Sequence, residues 1–138
     1  MFRKIVVAFD GSPQARKAFD VGLEIARRFG AELEAMAVIR LPEPAVRVEL
    51  DAALEEGRRV FAERFGELAA AAAAAGVTLQ SRLEVGHPAE QIVHAAERDA
   101  ADLIVMGRRG VSRFERWMLG SISERVLRYA HCPVLVVH

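Results

Sequence analysis

The sequence has a single cysteine among its 138 residues. One thiol excludes an intramolecular disulfide, and it also excludes any metal site that depends on paired thiolates. Cys132 precedes Pro133 at the entry to an apolar segment, so we interpret it as a small buried apolar residue rather than a nucleophile. So few thiols are typical of a reducing compartment, and we predict a cytoplasmic location.

The chain also lacks a charge of one sign, because 19 acidic residues balance 19 basic ones. It therefore has no overall field that attracts nucleic acid or an anionic membrane, and any anion site must be local. No apolar run approaches the length that crosses a bilayer, and Met-Phe-Arg-Lys leads directly into Ile5 without the longer apolar segment of a signal peptide. We predict neither nucleic acid nor a membrane as a partner.

Histidine is scarce, and its spacing is not that of a metal site. The four copies are His87, His94, His131 and His138. They show no ligand spacing on a common element. We expect surface or capping roles for them and no metal site built from protein side chains.

Apolar residues make up 52% of the chain and charged residues 28%, which is enough apolar material for a folded core. The length is typical of one domain and nothing in the composition marks a linker, so we expect residues 1–138 to form a single domain. Short apolar runs alternate with stretches of helical periodicity. The predicted strands span residues 4–9, 33–39, 77–85, 102–106 and 133–137, and a helix follows each of the first four.

Residues at several helix ends strengthen this prediction. Ser12-Pro13 is typical of an N-cap followed by proline at the first helical position, and Gly30 is expected to end that helix. The alanine run 69–75 forms the last turns of the second helix, because alanine is the best helix former. The later boundaries are predicted at Gly76, at Pro88 and, for the last helix, at residues 120–130 after a loop at 107–119.

This alternation predicts a doubly wound α/β fold. Right-handed crossovers between parallel strands place helices on both faces of the sheet. Ligands of such sheets bind outside the carboxyl ends of the strands, where the strand order reverses. Asp10-Gly11 and Gly107 both lie at such ends, so we expect the site near them.

The most informative stretch is Gly107-Arg-Arg-Gly110, followed after nine residues by Gly120-Ser-Ile-Ser123 at the start of the last helix. Glycines at a strand end permit positive φ and close backbone approach, and a helix N-terminus presents unpaired N–H groups, so phosphate is the expected guest. The alternative is that Gly107 and Gly110 only turn the chain and Ser121 only caps the helix. Neither the Walker pattern nor G-x-G-x-x-G after the first strand occurs.

Three stretches in the last third of the chain carry a family resemblance: Ala101-Asp-Leu-Ile-Val-Met-Gly107, Gly120-Ser-Ile-Ser-Glu-Arg-Val126 and His131-Cys-Pro-Val-Leu-Val-Val137. Together they resemble the universal stress protein family. Lys4 to Ser12 is similar to that family's opening strand, and Val85-Gly-His-Pro-Ala89 to its turn before the third helix. The resemblance extends over the whole chain and implies a five-stranded parallel sheet of order 3-2-1-4-5, in the adenine nucleotide alpha hydrolase-like fold.

The resemblance also implies a set of nucleotide-binding residues. Asp10 would contact the nucleoside, while Ala8 and Val38 would offer backbone groups to adenine and ribose. Alternatively, Asp10 only caps the turn into the first helix. The residues implied for the phosphates are Gly107, Arg108, Arg109, Gly110, Arg113, Gly120, Ser121, Ile122 and Ser123.

Family members that keep the G-x-x-G-x9-G-[ST] pattern bind ATP, and this chain keeps every glycine and the serine. Arg108 and Arg109 stand where smaller or different polar residues are common in similar proteins, and an arginine can clamp a phosphate. The nucleotide would bring Mg²⁺ or Mn²⁺ through its own phosphates. We therefore predict ATP as the ligand.

The predicted function is that of an ATP-binding stress-response regulator, in which the nucleotide orders residues 107–123 and changes a surface that an unidentified protein partner reads. No residue stands out as a base for activating water, so we expect slow hydrolysis at most. The apolar strand Pro133 to Val137 would be an exposed edge, which predicts a twofold homodimer, as is common in the family. The alternatives are a dimeric interaction module without functional nucleotide binding and an ATP-dependent enzyme with rapid turnover.

Overall fold

The computed structural model describes residues 1–41, 43–44, 46–108 and 119–138. Within these residues, strands and helices alternate along the whole chain. They are β1 (Lys4–Ala8), α1 (Pro13–Phe29), β2 (Glu32–Ile39), α2 (Arg47–Ala74), β3 (Leu79–Val85), α3 (Pro88–Arg98), β4 (Leu103–Gly107), α4 (Ser121–Tyr129) and β5 (Val134–Val137). All strands pair in parallel in the order β3-β2-β1-β4-β5. This confirms the doubly wound fold and the strand order.

The ends of α1 are the ones that its sequence predicts. The Ser12 hydroxyl accepts a hydrogen bond from the Ala15 N–H over 3.1 Å, and Pro13 occupies the first turn. Gly30 ends the helix with φ at 64°, in the left-handed region that glycine adopts without strain. The N-cap at Ser12 and the left-handed Gly30 thus place both ends of α1 within one residue of the predicted ends.

The third strand begins two residues later than predicted. The N–H of Val77 donates to the Ala72 carbonyl over 2.9 Å, so this residue belongs to the turn that ends α2. The alanine run does form the last turns of that helix, and Ala72 is fully buried. Although α2 has 28 residues, no helix in the described part of the chain is both long and apolar enough to cross a membrane.

Two apolar layers form the core, one on each face of the sheet. Alternate residues of β1 divide between them, because successive side chains of a strand point to opposite faces. Ile5 and Val7 pack in the layer under α1 and α2, and Val6 packs in the layer under α3 and α4. All three are fully buried, and burying each such side chain contributes about 1.5–3 kcal/mol. This explains why β1 is apolar at every position in its centre.

Strand order reverses between β1 and β4. From β1 the chain proceeds to β2 on one side, whereas β4 is followed by β5 on the other side. Ile5 is paired with Leu103 and Val7 with Val105, so the carboxyl ends of the two strands are level. The segments that leave these ends diverge and open a crevice between them.

Candidate functional site

A cleft of about 270 Å³ lies at this crevice. It is bordered by the segments that follow β1 and β4, by the last half of β2, and by the first turns of α1, α3 and α4. The described residues that line it are Ala8, Phe9, Asp10, Ser12, Gln14, Ala15, Met36, Val38, Pro88, Ile92, Met106, Gly107, Arg108, Ile122 and Ser123.

The two sides of the cleft differ in chemistry. On the side of β2 and α3 the lining is apolar, with Met36, Val38 and Ile92 as its largest side chains. On the side of β4 and α4 it carries polar groups, among them Arg108 and Ser123. The cleft can therefore take a ligand that has a flat apolar part at one end and an anionic part at the other.

The polar side contains the start of α4. Gly120 is the N-cap residue, and as a glycine it has no side chain that could make a capping hydrogen bond. The N–H groups of Ser121, Ile122 and Ser123 have no acceptor within the helix, since the first turn of any helix leaves them without one. Ser121 is thus the first helical residue rather than the cap, and the start of α4 presents donors and a positive dipole end to an anion.

Ser123 connects this helix to the end of β4. Its hydroxyl donates to the carbonyl oxygen of Gly107 over 3.3 Å, and the residue is 2% exposed. The hydrogen bond satisfies a buried polar group and sets the position of the first turn of α4 relative to the strand.

Gly107 is required by packing. A Cβ atom at this position would lie 2.8 Å from both the carbonyl carbon and the carbonyl oxygen of Gln14. The first turn of α1 therefore approaches the end of β4 more closely than any side chain allows. The close backbone approach observed at Gly107 is to α1, and Gly107 does not have a positive φ. Its approach to a phosphate stays a prediction.

Asp10 belongs to the turn between β1 and α1. Its Oδ1 accepts a hydrogen bond from the Ser12 N–H over 2.9 Å, and Gly11 follows it with φ at 86°. Asp10 therefore does cap the turn into α1, which was the alternative role predicted for it. The exposed carboxylate also lines the cleft, so the turn holds it in place there.

The structure brings most of the predicted site residues together. Those that line the cleft are Ala8, Asp10, Val38, Gly107, Arg108, Ile122 and Ser123. Gly120 and Ser121 lie directly before them at the start of α4. Arg109, Gly110 and Arg113 lie outside the described residues. The binding roles of all of them stay predictions.

Sequence reasoning missed part of the apolar side. Met36 precedes Val38 by two residues on β2 and shares its face, so strand alternation was a sufficient signal for it. Pro88 was identified only as the start of a helix and Ile92 was not assigned to the site, because nothing local indicates that this end of α3 faces the cleft. Ser12 was interpreted as a cap, and it is a cap that also lines the site.

Other reactive side chains lie outside the cleft. Cys132 is partly buried, and burial raises the pKa of its thiol, with a smaller contribution from Asp102. A raised pKa lowers the thiolate fraction, in keeping with an inert residue. In the part of the chain that the structure describes, no three His, Cys, Asp or Glu side chains are placed to hold a metal ion. His131 instead contacts Glu97, with 2.7 Å between Nε2 and Oε1.

Comparisons with known proteins agree with the fold and show the family. The model of the universal stress protein family matches residues 1–138. A universal stress protein of Methanocaldococcus jannaschii is 38% identical over 141 residues, which cover 99% of this chain and 82% of the relative. The solved structure of UspA from Lactobacillus plantarum superposes with a TM-score of 0.81 at 27% identity, covering 99% of this chain and 98% of that one. A universal stress protein solved in complex with cAMP has a TM-score of 0.77 at 29% identity, covering 99% and 97%. The chain belongs to the universal stress protein family.

Proposed function

We propose that this chain binds an adenine nucleotide, with ATP as the expected ligand, and acts as a nucleotide-dependent regulator in the stress response. The observation that carries the proposal is the two-sided cleft at the strand-order reversal. Its apolar side suits a purine, and its polar side combines the start of α4 with Arg108. A base and a phosphate chain need these two environments next to each other.

Each part of the ligand has a matching part of the lining. The base would lie against Met36, Val38 and Ile92, with backbone groups of Ala8 and Val38 at its polar edge. The ribose hydroxyls would face the Asp10 carboxylate, which accepts hydrogen bonds only. The phosphates would face the N–H groups at the start of α4, where the helix dipole favours negative charge.

The relative solved with cAMP supports the ligand class, because cAMP is an adenine nucleotide and that protein shares the fold at 29% identity. The phosphates would bring Mg²⁺ or Mn²⁺, which neutralises part of their charge. Waters would complete the shell of such an ion, since no cluster of His, Cys, Asp or Glu among the described residues is placed to hold one.

We propose regulation rather than rapid turnover. Among the described residues of the lining, Asp10 is the only carboxylate and there is no histidine. Asp10 belongs to the nucleoside end of the proposed pose, away from the water that would attack a terminal phosphate. Slow hydrolysis is therefore the most that we expect.

We further propose that residues 1–138 act as one cytoplasmic domain that forms a twofold dimer through β5. That strand pairs with β4 on one side and is the last strand of the sheet. Leu135 at its centre is 37% exposed. An apolar edge strand offers unpaired N–H and C=O groups to a second copy. An unidentified protein partner would then read the nucleotide-dependent surface.

The test is a titration of ATP, ADP, AMP and adenosine by calorimetry into the chain and into Ser121→Pro. Proline at this position removes one N–H and follows Gly120, whose φ of −61° and ψ of 151° are compatible with it. We expect saturable ATP binding that Ser121→Pro weakens about ten- to hundredfold, because a hydrogen bond to a charged group contributes about 1.5–3 kcal/mol.

Ser121→Ala is the matched control, since it removes the hydroxyl and keeps the N–H. Equal ATP affinity in the chain and in Ser121→Pro contradicts the placement of the phosphates. If none of the four ligands binds, the result favours the alternative of a dimeric interaction module without functional nucleotide binding. Rapid release of phosphate from ATP favours the alternative of an ATP-dependent enzyme.

A further inference from the structure

Arg108 and His138 lie side by side at the carboxyl edge of the sheet. Each follows the last residue of one of two neighbouring strands, and those last residues, Gly107 and Val137, are register partners. The N–H of Arg108 donates to the Val137 carbonyl oxygen over 2.8 Å. The sheet therefore holds the two backbones next to each other just beyond the ends of β4 and β5.

Their side chains are also in contact. Nη1 of Arg108 lies 3.3 Å from Nδ1 of His138. A guanidinium donates hydrogen bonds and accepts none, so Nδ1 is the acceptor and the neutral ring carries its proton on Nε2. Because the guanidinium is a planar fork, a hydrogen bond at one corner restrains the orientation of the whole group.

Arg108 is also part of the cleft. It lines the polar side together with Gly107 and Ser123, and among the described lining residues it is the only cationic one. A long arginine side chain loses rotamer freedom when it binds an anion, and this loss weakens binding. A guanidinium that the protein already restrains loses less on binding.

We propose that His138 is a positioning residue for nucleotide binding. Its Nδ1 holds the Arg108 guanidinium at the polar side of the cleft, ready for the phosphates, and so increases the preference for a phosphorylated ligand over a bare nucleoside. His138 acts through Arg108 and is not itself a residue of the cleft lining. The inference rests on the proposed nucleotide site, and it gives His138 a role that the sequence did not suggest.

Two substitutions of His138 distinguish the effect of its hydrogen-bond acceptor from the effect of its ring. His138→Phe keeps a planar ring of similar size and removes the acceptor. His138→Asn removes the ring and retains an acceptor, since its Oδ1 is as many bonds from Cα as Nδ1 is. His94→Phe is the matched control, because it makes the same change on α3 at a residue outside the cleft lining.

The readout is the affinity for ATP and for adenosine, measured by calorimetry, with thermal melting as the check on folding. We expect His138→Phe to weaken ATP binding about three- to tenfold, the range of one lost hydrogen bond, and to leave adenosine binding unchanged. His138→Asn should retain the ATP affinity, and His94→Phe should change neither affinity.

A double-mutant cycle with Arg108→Gln tests whether His138 acts through the arginine. Arg108→Gln should weaken ATP binding, and His138→Phe should cause no further loss in that background. The proposal is overturned if His138→Phe leaves ATP affinity unchanged, if adenosine affinity falls equally, or if the loss persists beside Arg108→Gln. If ATP binds and its affinity does not depend on His138, only this inference is overturned. If ATP does not bind at all, both this inference and the proposed nucleotide site are overturned.

Discussion

Glu34 lies on β2 with its Oε1 3.2 Å from Nε of Arg82 on β3, and it is 2% exposed. The contact is electrostatic, because no described group donates a hydrogen bond to Oε1. Arg82 also contacts Asp99 at the end of α3, with 2.9 Å between Nη2 and Oδ2. Lys4 on β1 is the second cation near Glu34, with 3.9 Å between Nζ and Oε2. The network joins three strands to the end of α3 near the amino ends of β1 and β2, whereas the cleft lies at the carboxyl ends of the strands.

The first prediction concerns pH. Burial raises the pKa of Glu34 above its ordinary value of 4.5, although Arg82 and Lys4 oppose the shift. The folded state therefore binds this proton more tightly than the unfolded state, so Glu34 lowers stability progressively as pH rises from about 4.5 through the raised pKa. In Glu34→Gln this contribution disappears. Urea unfolding at several pH values should show the unaltered chain losing stability relative to the variant over this window.

Glu32→Gln is the control for that series, since Glu32 is an exposed carboxylate on the same strand. Its unfolding free energy should run parallel to that of the unaltered chain in the same window. A constant difference between Glu34→Gln and the unaltered chain at every pH would contradict the prediction.

The second prediction concerns Gly107. In Gly107→Ala the new Cβ would meet the Gln14 backbone at 2.8 Å, so α1 must move away from β4. We expect a loss of about 1–3 kcal/mol in the free energy of unfolding, as for other overpacked sites, and weaker ATP binding because both elements border the cleft. Gly66→Ala is the control: nothing lies within 4 Å of its added Cβ, and alanine should stabilise α2 by about 0.5–1 kcal/mol. Changes of the same sign in both variants would refute the packing argument.

The third prediction concerns the start of α1. Ser12→Ala removes the acceptor of the Ala15 N–H and should cost about 1 kcal/mol in the free energy of unfolding. Ser12→Asn supplies another N-cap acceptor and should restore most of that loss. Equal stability of Ser12→Ala and the unaltered chain in chemical denaturation would show that water replaces the cap.

The fourth prediction concerns the proposed dimer. The carbonyls of Pro133 and Val137 accept hydrogen bonds from the N–H groups of Ile104 in β4 and of Arg108 just after it. The N–H of Val136 therefore points to the free side of β5, because the backbone groups of successive strand residues alternate in direction. Val136→Pro removes that N–H without breaking the pairing with β4, and proline is tolerated in edge strands. We expect sedimentation to show a dimer for the unaltered chain and a monomer for the variant. Val136→Ala, which keeps the N–H, should remain dimeric, and a dimer of Val136→Pro would exclude pairing through β5.

Much of the fold was predictable because its signals are local. Ser12-Pro13 and Gly30 define α1 by themselves, since a cap, a preset φ and a left-handed residue act within one turn of chain. The apolar centre of β1 likewise shows that both faces of the strand are covered. The strand order needed the family resemblance, because a strand's own residues do not specify its neighbour.

The site was predictable only in part. The glycine spacing located Gly107, but the residue that requires a glycine there is Gln14, far away in the chain. Glu34 stands in an apolar strand and was not singled out, because its partners come from β1, β3 and the end of α3. Such contacts connect residues that share no pattern in sequence.

The sequence by itself determined the alternation of strands and helices, their approximate ends and the apolar layers, because periodicity and capping depend on neighbours within a few residues. Only the tertiary structure decided that Asp10, Val38 and the start of α4 border one cleft, that His138 reaches Arg108, and that α1 presses on Gly107. These depend on which strands become neighbours and how closely helices pack on them, and both are settled by the burial of the whole core rather than by any single segment.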